Sequence, residues 1–322
     1  MILSTAPVLL VGAGPMAQAY AAALRGLGAP HEALCRSEAS AEKFRSVTGS
    51  PCRAGGLEAL LARDGAPAMA IVAAPVADLA GCAGRLIEAG CVSILVEKPG
   101  GTTAADVSRL AALAAGRGAR VHVAYNRRYY ASVRKAREMI AEDGGVTSFT
   151  FEFTELGDRV GALPYPAEVL ANWELANSTH VIDTAFFLGG APARIEAMTA
   201  GALAWHPRCA RYAGHGVTEA GALFSFSADW DAPGRWGIEI NTRQNRLVLR
   251  PMETLQRQRR GSFALEPVEI DDTLDRRYKP GLYRQTAAFV SGEDAGDLSD
   301  IAAQAKAFAL ITRSIMREEP SG

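Results

Sequence analysis

The sequence predicts an α/β protein of two domains: a doubly wound parallel sheet covered by helices on both faces, followed by a second α/β domain. Three observations carry this. Short, continuously apolar runs alternate with longer helical patterns through the first third of the chain, a glycine-rich turn joins the first run to the first helix, and from Ser148 onward a period of two replaces the unbroken apolar runs. In order, Val8 to Val11 reads as a strand, Met16 to Leu27 as a helix, His31 to Cys35 as a strand and Leu57 to Arg63 as a helix. Met69 to Ala73 is the next strand, Leu79 to Ala89 a helix, Ser93 to Val96 a strand, Ala104 to Gly116 a helix and Arg120 to Ala124 a strand. Strands this short and this apolar belong in a parallel sheet buried on both faces. The second domain opens near a helix at Ser132 to Glu142. In Ser148 to Glu155, Phe149, Phe151 and Phe153 then alternate with Thr150, Glu152 and Thr154, as in an antiparallel strand with one packed face. Ala222 to Ser227, Trp236 to Thr242 and Arg246 to Arg250 continue that sheet, the last two joined by a turn at Arg243 to Asn245.

Composition limits the function. With 322 residues, 48% of them hydrophobic, and a formal net charge of -1, the chain can fill two cores. Near-neutral charge argues against nucleic acid as a partner, and the basic run Arg257, Gln258, Arg259, Arg260 reads as a solvated loop. No apolar run approaches the roughly 18 to 20 residues that span a bilayer. The start MILSTAPVLLVGAG lacks a leader's basic flank and cleavage pattern, so a cytoplasmic protein with no membrane partner is expected. The cysteines Cys35, Cys52, Cys82, Cys91 and Cys209 are odd in number and show no CxxC spacing, which suggests reduced fillers rather than a disulfide frame or a zinc site.

The first crossover, VGAGPMAQAY, carries Gly12, Gly14 and Ala17 as GxGxxA between a strand and a helix. Such glycines allow a tight turn and close approach of a pyrophosphate to the backbone around Pro15 and Met16, where unpaired helix N–H groups and the helix dipole favour an anion. A dinucleotide is therefore the expected cofactor. Where an acid would hold the ribose hydroxyls of NAD, the second strand ends in Arg36 and Ser37, a cation and a donor suited to a 2'-phosphate. NADP is favoured on Arg36, with NAD as the alternative. Ligands of open α/β sheets bind beyond the carboxyl ends of the strands, which brings in Ala74 and Pro75, Glu97 and Lys98, and Tyr125, Asn126, Arg127 and Arg128. Pro99 restricts the backbone of Lys98 and so fixes where its side chain points.

GAGPMA, the Ala74-Pro75 strand end, VEKPGGTTAAD and VAYNRRYY stand in the order and spacing of the Gfo/Idh/MocA (glucose-fructose oxidoreductase, inositol dehydrogenase, MocA) family, and the chain resembles that family over its whole length. The resemblance implies an N-terminal Rossmann domain, residues 1–124, and a C-terminal α/β domain with an open, mostly antiparallel sheet, residues 125–322. It also implies NAD or NADP, a sugar, nucleotide-sugar or cyclitol substrate, and a homodimer or homotetramer formed through the C-terminal sheet. Lys98 takes the place of the family's catalytic lysine and His180 that of its active-site histidine. His180 lies in NWELANSTHVIDTAFFLGG, where Asn177, Ser178 and Thr179 are cap residues for a helix ending at Gly189-Gly190. At a helix N-terminus an imidazole would be held neutral, as a general base requires.

The chain departs from the family pattern here, with Ala176 where an acid stands four residues before the histidine and Ser178 where a glycine stands two before it. Asn177, Trp173, Glu174 and Tyr165 are candidates for substrate contact, with Trp173 equally readable as core and Glu174 as a surface acid. A metal held by His180, Asp183 and Glu174 is not expected, because the family chemistry needs none. The mechanism implied is proton exchange by His180 while Lys98, held by Glu97, hydrogen-bonds the same oxygen during hydride transfer. Arg128 would brace the site or a substrate oxygen, and Arg127 would be solvated. Two other readings stay open: a redox-neutral epimerase, lyase or glycosidase using bound NAD(P), and a noncatalytic NADP-responsive binding protein.

Overall fold

The computed structural model describes residues 7–292 and 295–315; the first six residues of the stretch read for a leader, and the far end of the second expected domain, lie outside the described residues. The chain divides into two compact units.

The first unit begins with β1 (Val8–Val11), α1 (Pro15–Leu27), β2 (His31–Leu34), α2 (Glu38–Thr48), β3 (Cys52–Arg53), α3 (Gly56–Asp64), β4 (Met69–Val72), α4 (Leu79–Ala89), β5 (Ser93–Glu97), α5 (Ala104–Arg117) and β6 (Arg120–Ala124). Every residue of β1 and β5 is buried, which is why Val8–Val11 and residues 94–96 read as unbroken apolar runs. The six strands are parallel and lie in the order β3-β2-β1-β4-β5-β6. The order reverses between β1 and β4, the switch point at which such sheets bind ligands. Elements α2 and β3 have no counterpart among the expected ones. Only Ala41, Phe44 and Thr48 of α2 are buried, too narrow a stripe to stand out, and β3 has two residues.

The second unit contains α6 (Ala131–Glu142), β7 (Ser148–Glu152), α7 (Gly157–Gly161), α8 (Ala167–Ala171), a π-helical turn at Glu174–Ser178, α9 (Thr179–Gly189), β8 (Pro192–Ala200), β9 (Arg211–Thr218), β10 (Leu223–Asp229), β11 (Gly237–Asn241), β12 (Asn245–Leu249), β13 (Gln256–Arg259) and β14 (Leu265–Pro267). Its eight strands run in the order β14-β13-β12-β11-β7-β10-β9-β8. All neighbours are antiparallel except β7 and β10, as a mostly antiparallel sheet allows. The long excursion between these two strands permits the parallel pairing that a hairpin would forbid.

Alternation decides which face is covered. Phe149 and Phe151 on β7 and Phe224 and Phe226 on β10 are buried, whereas Thr150, Ser225 and Ser227 face outward. The rings stack across the pair at 5.2 Å for Phe149 with Phe224 and 5.3 Å for Phe151 with Phe226, and Phe186 of α9 meets Phe149, Phe151 and Phe224 edge-on. Each such pair adds about 0.5–1.5 kcal/mol beyond the area it buries. Gly189 lets α9 lie close to the sheet, since a Cβ there would sit 2.4 Å from the Phe149 ring. This packing fixes the direction of α9. Its last residue lies over the start of β7, and its first turn lies at the carboxyl end of that strand.

Two expectations are corrected in this unit. The basic run is not a loop, because Gln256–Arg259 forms β13 between β12 and β14, with Arg257 and Arg259 paired to Glu266. Strand β8 gave no signal because only Ile195 of its nine residues is buried.

After β14 come α10 (Thr273–Arg277), α11 (Leu282–Ser291), β15 (Ser299–Asp300) and α12 (Ile301–Ser314). The expected assignment of residues 125–322 to one domain is corrected here. The first unit extends to Asn126 and takes back Leu274–Phe308, while the second is Arg127–Thr273 with the described residues 309–315. β15 pairs antiparallel with β6, and α11 buries Leu282, Ala288, Phe289 and Val290. α11 lies against α1, and the Tyr278 hydroxyl comes so close to Gly26 that a Cβ there would stand 2.2 Å from it. Among the described residues no helix is long and apolar enough to cross a membrane.

Candidate active site

In the first unit the candidate residues lie along the carboxyl ends of the parallel strands. Gly12 follows β1 with φ +127, and a Cβ on it would stand 2.3 Å from the Ala73 carbonyl oxygen at the end of β4. Only glycine fits that approach. Gly14, the N-cap of α1, has φ -76, and a Cβ added to it would meet nothing within 4 Å, so the space beside it is open. No side chain caps α1, no acid lies in its first turn, and Pro15 follows directly, with Met16 half-buried behind it. The first amides of a 13-residue helix thus point toward open space with no protein acceptor on the N-cap side chain. The charge and donors of such a helix start suit a diphosphate.

Arg36 follows β2 with its side chain 83% exposed and only a 3.9 Å contact to Asp78, so its guanidinium is available. Ser37 is committed elsewhere: its hydroxyl oxygen caps α2 by accepting from the Ser40 amide, and it donates to the Ser40 hydroxyl. Ala74 is half-buried and Pro75 exposed after β4.

Lys98 follows β5, half-buried, through a cis bond to the buried Pro99. Glu97, the last residue of β5, is buried. Its carboxylate accepts a 2.8 Å bond from the buried Tyr20 hydroxyl. Burial pushes the Glu97 carboxyl up, against the Tyr20 bond and the charges of Lys98 and Lys279, which draw it down. The same burial raises the Tyr20 phenol well above its ordinary range. Tyr125, expected at the substrate, is likewise buried, with its hydroxyl accepting from Gln304 at 2.6 Å.

In the second unit His180 is 7% exposed, on the first turn of α9, with its ring 6.0 Å from that of Trp236. The capping argument for it is corrected. Ser178 has helical φ -66 and ψ -19 and makes no cap bond, because the π turn Glu174–Ser178 runs straight into α9. His180 therefore has no free helix terminus behind it. It has a π turn, a feature that recurs at functional sites.

Side chains around this turn hold it firmly. Asn177 donates to both oxygens of Glu155, at 3.1 and 3.2 Å, and the Ser178 hydroxyl donates to Glu155 at 2.7 Å. Glu174, read as a possible surface acid, is fully buried and meets His206 at 3.0 Å and Arg208 at 2.9 Å. Burial opposes charge on His206, yet the Cys209 carbonyl and the Glu174 carboxylate push its imidazole up to about 10. Trp173 is buried between Tyr165 and Trp205, and Tyr165 is 46% exposed.

Arg128 grips Asp183 through two bonds, at 2.8 and 2.5 Å, and lies over the Phe187 ring. Asp183 is one turn beyond His180 on the same helix face, so the pair braces the segment that carries the imidazole. Arg127 is corrected from solvated to packed, its guanidinium 4.7 Å from the Trp236 ring centre. Among the described residues no group of three or more His, Cys, Asp or Glu is arranged to hold a metal ion, and Asp183 and Glu174 are each engaged in ion pairs. Sequence reasoning missed Glu155 and His206. Glu155 looks like the polar end of an alternating strand and His206 sits in an irregular loop, so neither carried a local signal.

The fold is shared with known proteins. Over 97% of this chain and 95% of that one, the fold is similar to an oxidoreductase from Agrobacterium radiobacter solved with NAD+, L-tartaric acid and magnesium, at 17% identity and a TM-score of 0.79. An oxidoreductase from Desulfitobacterium hafniense assigned as NADPH-dependent is 20% identical with a TM-score of 0.77, over 97% and 95% of the two chains. UDP-N-acetylglucosamine 3-dehydrogenase from Acidithiobacillus ferrooxidans is 16% identical with a TM-score of 0.73, over 96% of each. No curated protein matches by sequence. Residues 7–125, which hold the glycine turn and Lys98, match the family described as "Oxidoreductase family, NAD-binding Rossmann fold", which places this N-terminal domain among the Gfo/Idh/MocA oxidoreductases.

Proposed function

We propose that the protein is an NAD(P)-dependent oxidoreductase that acts on a secondary alcohol or ketone of a sugar, nucleotide sugar or cyclitol. The observation that carries this reading is Lys98 at the carboxyl end of β5, in the same row of strand ends as the Gly12–Gly14 turn. One of the similar structures, named for a nucleotide sugar, supports the substrate class.

Gly12, Gly14, Pro15 and Met16 would hold the diphosphate, and Ala74 and Pro75 would border the cofactor. A bound nicotinamide supplies hydride acceptance or donation. His180 takes the hydroxyl proton in oxidation and returns it in reduction, a contribution of about 10²–10⁴-fold. Lys98 hydrogen-bonds the same oxygen and stabilises the negative charge that develops there. Glu97, buried against Tyr20, keeps a carboxylate charge or its hydrogen-bonded acid form beside the base of Lys98. Arg128 supports His180 from behind through Asp183, while the exposed Tyr165, backed by the buried Trp173, offers an aromatic face for a sugar ring.

We read Arg36 as favouring NADP, its exposed guanidinium being suited to a 2'-phosphate. The cysteines are all free thiols, which fits the cytoplasm. The outward face of the eight-stranded sheet is the surface through which we expect a homodimer or homotetramer, read by light scattering. The test of the activity is a screen of sugars, nucleotide sugars and cyclitols with NAD and with NADP, following absorbance of the reduced nicotinamide. Turnover on a polyol carbinol is expected. If no member of these classes changes that absorbance in either direction, the reading is wrong.

A further inference from the structure

Glu155 is used by nothing in the proposed chemistry, yet it is the acid most firmly tied to the His180 segment. It lies three residues beyond the end of β7, is 7% exposed, and receives three hydrogen bonds from two consecutive residues of the π turn. That turn ends at Ser178, two residues before His180. The two departures from the family pattern at this place become one event. Ala176 takes a carboxylate off the turn, and Ser178 adds, where a glycine would stand, the hydroxyl that holds a carboxylate arriving from β7 at 2.7 Å.

We propose that Glu155 supplies the carboxylate of the His180 centre, acting as a positioning residue that fixes the π turn and favours the protonated imidazole formed when His180 takes a proton. The proposal rests on the reading of His180 as the proton-exchanging group. The bonds from Asn177 and Ser178 bring Glu155 to the segment two residues before His180, and a carboxylate within about 4–6 Å of an imidazole favours its charged form by about one pH unit or more.

Several other charged groups on the surrounding elements have partners of their own. Asp183 on α9 is held by Arg128, Glu174 of the π turn is held by His206 and Arg208, and Arg127 packs on Trp236. Arg137 of α6 lies over Phe187, while Glu152 and Glu239 pair with Arg250 and Arg246 on the sheet.

The test is an NMR titration of the histidine side chains in the full-length protein, with the His180 signal assigned through His180→Gln, comparing wild type with Glu155→Gln. Glu155→Gln keeps an acceptor for Ser178 and removes the charge. The His180 midpoint should fall by about one pH unit. In the enzyme assay the acid limb of kcat/KM for alcohol oxidation should move down by the same amount, because the imidazole stays neutral to lower pH. A merely structural role would lower the rate without moving that limb. Should Glu155→Gln not yield folded protein, Glu155→Asp withdraws the same charge by one methylene from Ser178 and should give a smaller fall in the same direction. A His180 midpoint that moves by less than about 0.2 units overturns the proposal. The titration needs no substrate, so an absence of dehydrogenase activity in wild type would count against the proposed function and leave this result to be read on its own.

Discussion

Gly12 and Gly14 lie two residues apart in one turn, yet the structure assigns them different duties, and alanine at each separates the two. At Gly12 the backbone has φ +127, a conformation that costs a side-chain-bearing residue about 1–3 kcal/mol. The added methyl would stand 2.3 Å from the Ala73 carbonyl oxygen, so the end of β4 must give way by about 1 Å, at about 1–3 kcal/mol for overpacking. The sum, about 2–6 kcal/mol, is a large part of the usual folding margin of about 5–15 kcal/mol. At Gly14 the φ is -76 and the methyl meets nothing, so stability should stay within about 0.5 kcal/mol of wild type. That methyl does occupy the space where a diphosphate would approach the first amides of α1. Gly14→Ala should therefore weaken dinucleotide binding at least about tenfold, roughly 1.4 kcal/mol. Urea unfolding followed by circular dichroism measures the first quantity, and fluorescence titration with NADH and NADPH the second. If Gly12→Ala were as stable as wild type, or if Gly14→Ala bound both dinucleotides normally, the account of this turn would be refuted.

Further perturbations address the other parts of the account. Arg36→Ala should weaken NADPH binding by about tenfold or more, the value of a charge-assisted hydrogen bond, and leave NADH unchanged; equal losses for both would remove the 2'-phosphate assignment. His206 is held protonated up to about 10, above its ordinary 6.5, so its contribution to stability is complete below about pH 6.5 and is lost as pH rises through about 10. His206→Ala should cost about 3 kcal/mol at pH 7 in urea unfolding, and the difference from wild type should shrink by pH 10.5. Asp183→Asn leaves the Arg128 guanidinium without its carboxylate and should cost about 2–4 kcal/mol, with a fall in turnover but unchanged dinucleotide affinity.

Features that depend on local pattern were legible in the sequence. The β1–α1 glycine turn needs particular residues at fixed spacing, and a sheet covered on both faces must be built from runs such as Ile94, Leu95 and Val96. Phe149 and Phe151 showed their face through a period of two. What escaped was set by partners distant in the chain. Nothing near Glu155 indicates that Asn177 and Ser178 will close on it, and nothing near Glu174 indicates that His206 will make it a buried ion rather than a surface acid. The return of Leu274–Phe308 to the first unit depends on α11 fitting against α1 and β15 pairing with β6, contacts with no local signature. The capping error at Ser178 has the same origin. Asn, Ser and Thr are good caps in isolation, but here Asn177 and Ser178 spend their polar atoms on Glu155 while the backbone continues as helix.

The central claim is that Lys98 and His180 carry the chemistry of a nicotinamide-dependent oxidoreductase, and single-turnover reduction of bound dinucleotide by a polyol substrate tests it most directly. For Lys98→Ala and His180→Ala the rate should fall at least about 100-fold, with dinucleotide affinity of the His180 variant unchanged. Rates close to wild type in either variant, with folding intact, would contradict it.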